Sequence, residues 1–386
     1  MTQRLQIAFP YHNCTELSNI ISRHLGTADT GITGPQQKNL EKPEILAIFL
    51  LVMDIIAALR DPGVYPDAAS RVEFLQTYIS YIFLTERHAY KIKKPVNFGF
   101  LDFSTLKKRH YFLEQELHLN RRLAPEIYLA VLPLVVHQGR LQVGGSGRAV
   151  EYALQMVRLP QDKMMDELAA RRALTTVMID NLIERLAAFY PQAATGPRVN
   201  KFGDLTVIRY NHMENFSQIR SFVGTALSAA AFQDMVNFSE NFMQRYASLF
   251  TQRIKAGKIR DCHGDLHMKN ICITNGVYVF DCIEFNPRFR YGDVAADISF
   301  LAMDLDFHNY SDLSDYFINR FASVSHDSEI FRLVTFYKCY RAVVRGKINA
   351  LASVEPELAP EAQQQARQTA QAYFDLAWSY SRKEAA

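Results

Sequence analysis

The residues best suited to chemistry stand in one run, C-H-G-D-L-H-M-K-N-I over 262–271, followed shortly by V-Y-V-F-D-C-I-E-F. The run holds His263, Asp265 and Asn270, with Asp281 eleven residues beyond the asparagine. Val277, Val279 and Phe280 lead into Asp281, which predicts a short strand ending at that carboxylate. Phosphoryl transfer from a nucleotide asks for few groups, because positioning and charge neutralisation supply most of the catalysis. One carboxylate orients the acceptor hydroxyl and takes its proton. A second carboxylate and an amide oxygen hold the cations that bridge the phosphates. H-x-D-x-x-x-x-N, then a strand ending in Asp, provides these groups in that order. The bland alternative is a polar turn between a helix and a hairpin; Asn270 and Asp281 in register with Asp265 weigh against it.

H-G-D-L-H-x-x-N and the later F-D-x-x-E-F resemble the catalytic loop and the D-F-G counterpart of the aminoglycoside phosphotransferase and choline kinase-like family. That family is the small-molecule branch of the protein-kinase fold. The resemblance covers 70–350 by motif order and is strongest over 261–304. It implies an α+β, two-lobed fold, with a small antiparallel-sheet lobe and a larger, mainly helical lobe. It also implies an ATP- and Mg2+-dependent phosphotransferase acting on a hydroxyl of a small-molecule acceptor. Asp265 would then be the catalytic base, Asn270 and Asp281 the magnesium ligands, and His263 an organiser of the loop. Cys282 and Ile283 replace Phe-Gly after Asp281, as is usual in the small-molecule branch.

The same resemblance assigns the strand H-A-Y-K-I-K-K-P. Ala89 would roof the adenine and Lys91 grip phosphates, with Lys93, on the same face, as the fallback. Glu116, rather than Glu114, is assigned as the partner of Lys91 on the following helix. Met156 and Val157, with Gln155 beside them, are expected near the adenine. G-D-x-x-x-D-I makes Asp293 a helix cap or brace and Asp297 a structural brace of the catalytic loop. No glycine-rich loop stands between the first two strands, where Q-T-Y-I-S occurs. The phosphate clamp is therefore left to backbone amides with Thr77 or Ser80. The strand followed by K-K-P-V-N-F-G-F-L-D-F-S-T-L looks more like a bacterial subgroup than like antibiotic-resistance enzymes. Some relatives of that subgroup carry a further P-loop kinase domain; no G-x-x-x-x-G-K-[ST] occurs here, so none is expected. Two other readings remain: a protein kinase, and a non-catalytic nucleotide-binding regulator of the same fold.

Three segments must position these residues: an extension and linker over 1–44, a small lobe with a leading helix over 45–158, and a helical lobe over 159–386. Strands are expected over 72–75, 79–84, 89–94, 127–134, 141–143 and 148–157. Ser104 is the expected N-cap of a helix running to about residue 124. Gly144-Gly145-Ser146-Gly147 reads as a hairpin turn, since no helix follows it. Helices are expected over 168–190, 229–256, 311–321, 329–351 and 361–382. The stretch 191–227 reads as loops and short helices, with His212, Glu214 and Asn215 either at a surface, the plainer reading, or in an acceptor site. Lys338, Arg341 and Arg345 share one helical face. They are candidates for binding a phosphorylated or carboxylated acceptor, although a solvated face is the commoner reason for such a stripe.

Composition narrows the partners. With 43 Lys and Arg against 40 Asp and Glu in 386 residues, the net charge of +3 gives no reason to expect nucleic acid or a membrane surface. The apolar run over 45–59 is short for a bilayer span and contains Asp54. Five cysteines without a C-x-x-C pair argue against zinc or a disulfide framework and for a reducing cytoplasm. The expected partner is a small-molecule substrate.

Overall fold

A computed structural model describes residues 55–99, 101–356 and 358–383. The extension over 1–44 and most of the helix expected over 45–60 lie outside the described residues. The fold is α+β, and the chain forms two compact units, one containing residues 55–117 and 128–158, the other 118–127 and 159–383.

The first unit is built on a six-stranded antiparallel sheet, ordered β1 (Glu73–Gln76), β2 (Ser80–Leu84), β3 (His88–Lys93), β6 (Ala149–Val157), β4 (Tyr128–His137), β5 (Arg140–Val143). Side chains alternate across a strand, so in β3 Tyr90 and Ile92 enter a core with Tyr81, Phe83, Leu134 and Ala153. Ala89, Lys91 and Lys93 take the other face. The β1–β2 turn dispenses with glycine because Thr77 closes it. Its Oγ1 accepts from Ile79 N at 3.3 Å and from Ser80 N at 3.0 Å. Helix α1 (Leu106–Asn120) begins one residue later than expected. Thr105 caps it by accepting from Lys108 N at 3.3 Å, while Ser104 is held by Asp102.

In the second unit α2 (Met165–Ala170) and α3 (Thr176–Gln192) replace one expected helix. Helix α4 (Leu205–Ile219), 15 residues long, lies where loops and short helices were expected. The long helix expected over 229–256 is α5 (Ala229–Arg245) and α6 (Ala247–Lys255), broken where Tyr246 leaves helical geometry at φ −110°, ψ 25°. Three short strands follow: β7 (Ile259–Asp261) and the hairpin β8 (Ile271–Ile273), β9 (Val277–Val279). After β10 (Tyr291–Asp293), which pairs with β7, come α7 (Val294–Phe307), α8 (Ser311–Val324), α9 (Ile330–Ala352) and α10 (Pro360–Lys383). Helix α7 is buried on nearly every side, its Ile298, Leu301 and Leu305 packing in one core with Phe242, Phe317 and Phe336. A helix so enclosed can keep carboxylates only where each meets donors. Asp297 and Asp304 stand on this helix.

Candidate active site

In the first unit β3 and α1 bring Lys91 and Glu116 together. Lys91 Nζ donates to Glu116 Oε1 at 2.7 Å, and Lys93 Nζ to Oε2 at 2.7 Å. One buried carboxylate thus holds both lysines apart. Burial opposes its ionisation, but the two ammonium groups outweigh burial and push its pKa down. The Lys91 side chain keeps 10% exposure and that of Lys93 none, so Lys91 is the better placed to meet a ligand. Lys93 instead lies 4.7 Å over the Phe103 ring. Ala89 faces Met156 across the β3–β6 register, and His88 faces Val157. Gln155 donates to the Tyr90 hydroxyl. Of the suggested clamp residues, Thr77 is engaged in its own turn. Ser80 is buried, with Oγ lacking a partner among the described residues.

In the second unit β7 delivers the chain to the loop 262–270. Gly264 adopts φ +87°, and a Cβ there would lie 2.7 Å from Phe289 O, so only glycine fits. His263 is fully buried. Its Nε2 faces Phe280 O at 2.9 Å, and its Nδ1 accepts from Asp265 N at 3.3 Å. Those bonds specify a neutral ring protonated at Nε2. Burial pushes the His263 pKa down, against the pull of Asp297 and Asp265.

The Asp265 side chain is 34% exposed. Its Oδ2 accepts from Asn270 Nδ2 at 3.2 Å and lies 3.2 Å from His267 Nε2. Asn270 Nδ2 also donates to Asp265 O at 3.0 Å. Burial opposes ionisation of Asp265. His267, Arg345 and His263 outweigh it and hold the carboxyl well below the usual range. Asn270 ends a tight helical turn, and Phe280 N donates to its carbonyl at 3.0 Å. The β8–β9 hairpin therefore sets Asp281 next to Asn270. Asp281 itself has φ +60°, a left-handed conformation that costs energy in a residue other than glycine and recurs at functional sites.

Helix α7 holds this loop from beneath. Asp297 Oδ2 accepts from His263 N and from the Tyr190 hydroxyl, and Oδ1 from Gly264 N, all at 2.9 Å. Asp293 caps α7 by accepting from Ala295 N at 2.8 Å and pairs with Arg253 at 2.6 Å. Four supports escaped the sequence reading. Asp304 Oδ2 accepts from Met268 N at 2.9 Å. Asn120 Oδ1 accepts from Cys282 N at 2.8 Å, fixing the residue after Asp281. Arg122 donates to the carbonyls of Asp261 and Cys262 at 2.9 and 3.1 Å. His267 flanks Asp265. The one available signal was Asp304, seven residues after Asp297 and so on the same helical face.

The basic stripe on α9 is not a solvated face. Lys338 is buried, donating to Asp306 Oδ2 at 2.9 Å and Ser314 Oγ at 2.8 Å, so its ammonium is already paired within the unit. Arg341 donates to Gly264 O at 3.1 Å and Ala296 O at 3.2 Å. Arg345 lies over the Tyr373 ring at 5.7 Å. His212 and Asn215 are not at a surface either. Both are buried on α4, and His212 stacks on Phe336 and Tyr340 at 4.6 and 4.3 Å. Glu214 is ion-paired with Arg288.

No protein-family model matches the chain. It is 30% identical over 294 residues to uncharacterized proteins of Mycobacterium tuberculosis (strain H37Rv) and Mycobacterium bovis (strain AF2122/97). The match covers 75% of this chain, which spans 57% of the length of each relative. Similar solved structures are aminoglycoside phosphotransferases and choline/ethanolamine kinase family proteins. Amicoumacin kinase, in complex with AMP-PNP, Ca2+ and Ami, aligns at TM-score 0.49 and 14% identity, over 87% of this chain and 96% of that one. A choline/ethanolamine kinase family protein from Mesorhizobium loti aligns at 0.44 and 14%, over 86% and 99%. The GDP complex of aminoglycoside 2'-phosphotransferase-IIIa aligns at 0.44 and 12%, over 84% and 98%.

Proposed function

We propose that this chain is an ATP- and Mg2+-dependent phosphotransferase that phosphorylates a hydroxyl of a small molecule. The observation that carries the reading is the Asp265 carboxylate. It is ionised, part-exposed and oriented by Asn270 and His267, on a loop whose amides are fixed by Asp297 and Asp304. An acceptor hydroxyl donates to Asp265 and is thereby aimed at the γ-phosphorus. As the new O–P bond forms, the bond from the γ-phosphorus to the β–γ bridging oxygen breaks, the hydroxyl proton passes to Asp265, and ADP leaves. A base this acidic abstracts little before the bond forms, which suits a loose transition state in which orientation matters most.

Asn270 and Asp281 suit magnesium, which takes one or two protein oxygens alongside substrate phosphates. Bound there, the ion would neutralise charge on the phosphates. Lys91, steered by Glu116, would grip the phosphates, and Ala89, Met156 and Val157 would face the adenine.

Titration calorimetry with ATP, with and without magnesium, tests the metal and base assignments together. Wild type should bind magnesium-ATP, Asp281→Asn should lose the magnesium dependence, and Asp265→Asn should bind as wild type does. ADP release in a bacterial metabolite extract should fall at least about a hundredfold in Asp265→Asn. Binding without turnover in wild type would instead select the regulator, and transfer into added protein would select the protein kinase.

A further inference from the structure

The cations beside the catalytic loop differ in what they meet. Lys338 has Asp306, Arg288 has Glu214, and Arg341 has two carbonyls. Lys347 donates to the amide oxygens of Asn215 and Gln218 at 2.6 and 2.8 Å. Arg345 is the exception. Among the described residues it has no carboxylate at ion-pair distance, and its Nε, shielded from water, has no acceptor. Water can reach the outer N–H groups of a half-buried guanidinium, but not this one. A buried donor without a partner is costly and calls for an explanation.

Its location supplies one. Arg345 stands one helical turn beyond Arg341, which is bonded to Gly264 O, so the two share the face of α9 turned to the loop. The loop residue after Gly264 is Asp265. On the other side Tyr373 lies under the guanidinium, and its hydroxyl donates to Asp304, the residue that holds Met268 N. Helix α10 can approach so closely because residue 346 is glycine. A Cβ there would lie 2.5 Å from the Phe374 ring. Arg345 is thus oriented by packing and by its hydrogen bond to the Tyr373 hydroxyl, next to the proposed base, with an Nε that nothing among the described residues accepts.

We propose that Arg345 is an anion clamp for the acceptor: the molecule phosphorylated here carries, besides the hydroxyl presented to Asp265, a phosphate or carboxylate that pairs with the Arg345 guanidinium. This rests on the phosphotransferase reading above and narrows its substrate class. A planar fork of donors fits a carboxylate or phosphate through two parallel bonds, which an ammonium group cannot do. Asp265 and Asp304 attract the guanidinium without reaching ion-pair distance, and Asp265 Oδ2 already meets Asn270 and His267.

The test uses the full chain with its nucleotide site filled by magnesium and a non-hydrolysable ATP analogue, titrated with inorganic phosphate. Wild type should bind phosphate saturably. Arg345→Gln should weaken that binding about tenfold or more, and Arg345→Lys should recover part of it, with binding of the analogue unchanged in both. No saturable phosphate binding by wild type, or equal binding by wild type and Arg345→Gln, overturns the clamp. Failure of wild type to bind the analogue overturns the phosphotransferase reading instead, while the phosphate comparison remains readable. Thermal unfolding of each variant separates loss of the fold from loss of the site. A labelled product recovered from a metabolite extract should carry an anionic group besides the transferred phosphate; a neutral or cationic acceptor would also overturn the clamp.

Discussion

Asp297 joins three donors that have no other way to be held together: the amides of His263 and Gly264 and the hydroxyl of Tyr190. An asparagine has nearly the same shape, but its amide nitrogen would point a donor at a donor. Asp297→Asn should therefore lower stability by on the order of 2–4 kcal/mol, read from urea unfolding. Turnover should fall more than magnesium-ATP binding, since the loop loses its aim while Asp281 and Lys91 remain. A variant with wild-type turnover would refute the bracing role. Residues of this kind divide into two groups in the sequence. His263, Asp265, Asn270 and Asp281 are legible because their spacing is local and their chemistry is distinctive. Asn120, Arg122 and His267 are not, because a polar residue at a helix end or in a loop reveals its partner only once the chain has folded. Arg345 is intermediate: its helical face is readable, but not that Lys338 on the same face is buried against Asp306.

Helices were legible where an apolar stripe was continuous, as in α8 and α9, and illegible where polar residues occupy the buried face. Helix α4 shows the reason. His212 and Asn215 lie on its buried side, and Pro191, Gly196, Pro197, Gly203 and Gly224 punctuate the region, so it reads as loops and short helices rather than one long helix. The α5–α6 break is hidden for the opposite reason: neither glycine nor proline marks Tyr246, and the stripe runs through it. The buried face of α4 has a measurable consequence. Burial, aided by Arg341, pushes the His212 pKa down to about 3 from its ordinary 6.5. Between those values the unfolded chain binds a proton that the folded chain refuses, so stability falls as pH drops through that window and is flat above it. The loss should reach about 2 kcal/mol by pH 5. His212→Phe keeps the stacking on Phe336 and Tyr340 and removes the titration. Urea unfolding at pH 7 and pH 5 should then show a smaller loss in the variant than in wild type. Equal losses would contradict this.

At the scale of the whole molecule, the order of elements was legible because β-rich and helix-rich stretches are separated in the sequence. The six-stranded sheet and the helical unit each follow from that pattern. What was not legible is that residues 118–127 group with the helical unit, where Asn120 and Arg122 hold the backbone around Cys262 and Cys282. Among the described residues no helix is long and apolar enough to cross a membrane. The central claim, that these residues move a phosphoryl group onto a small molecule with Asp265 as base, is tested most directly by following labelled γ-phosphate from ATP into a bacterial metabolite extract. Wild type should produce a labelled small molecule, and Asp265→Asn, folded and still binding magnesium-ATP, should not. Label appearing equally with both proteins, or with neither although both bind the nucleotide, would contradict the account.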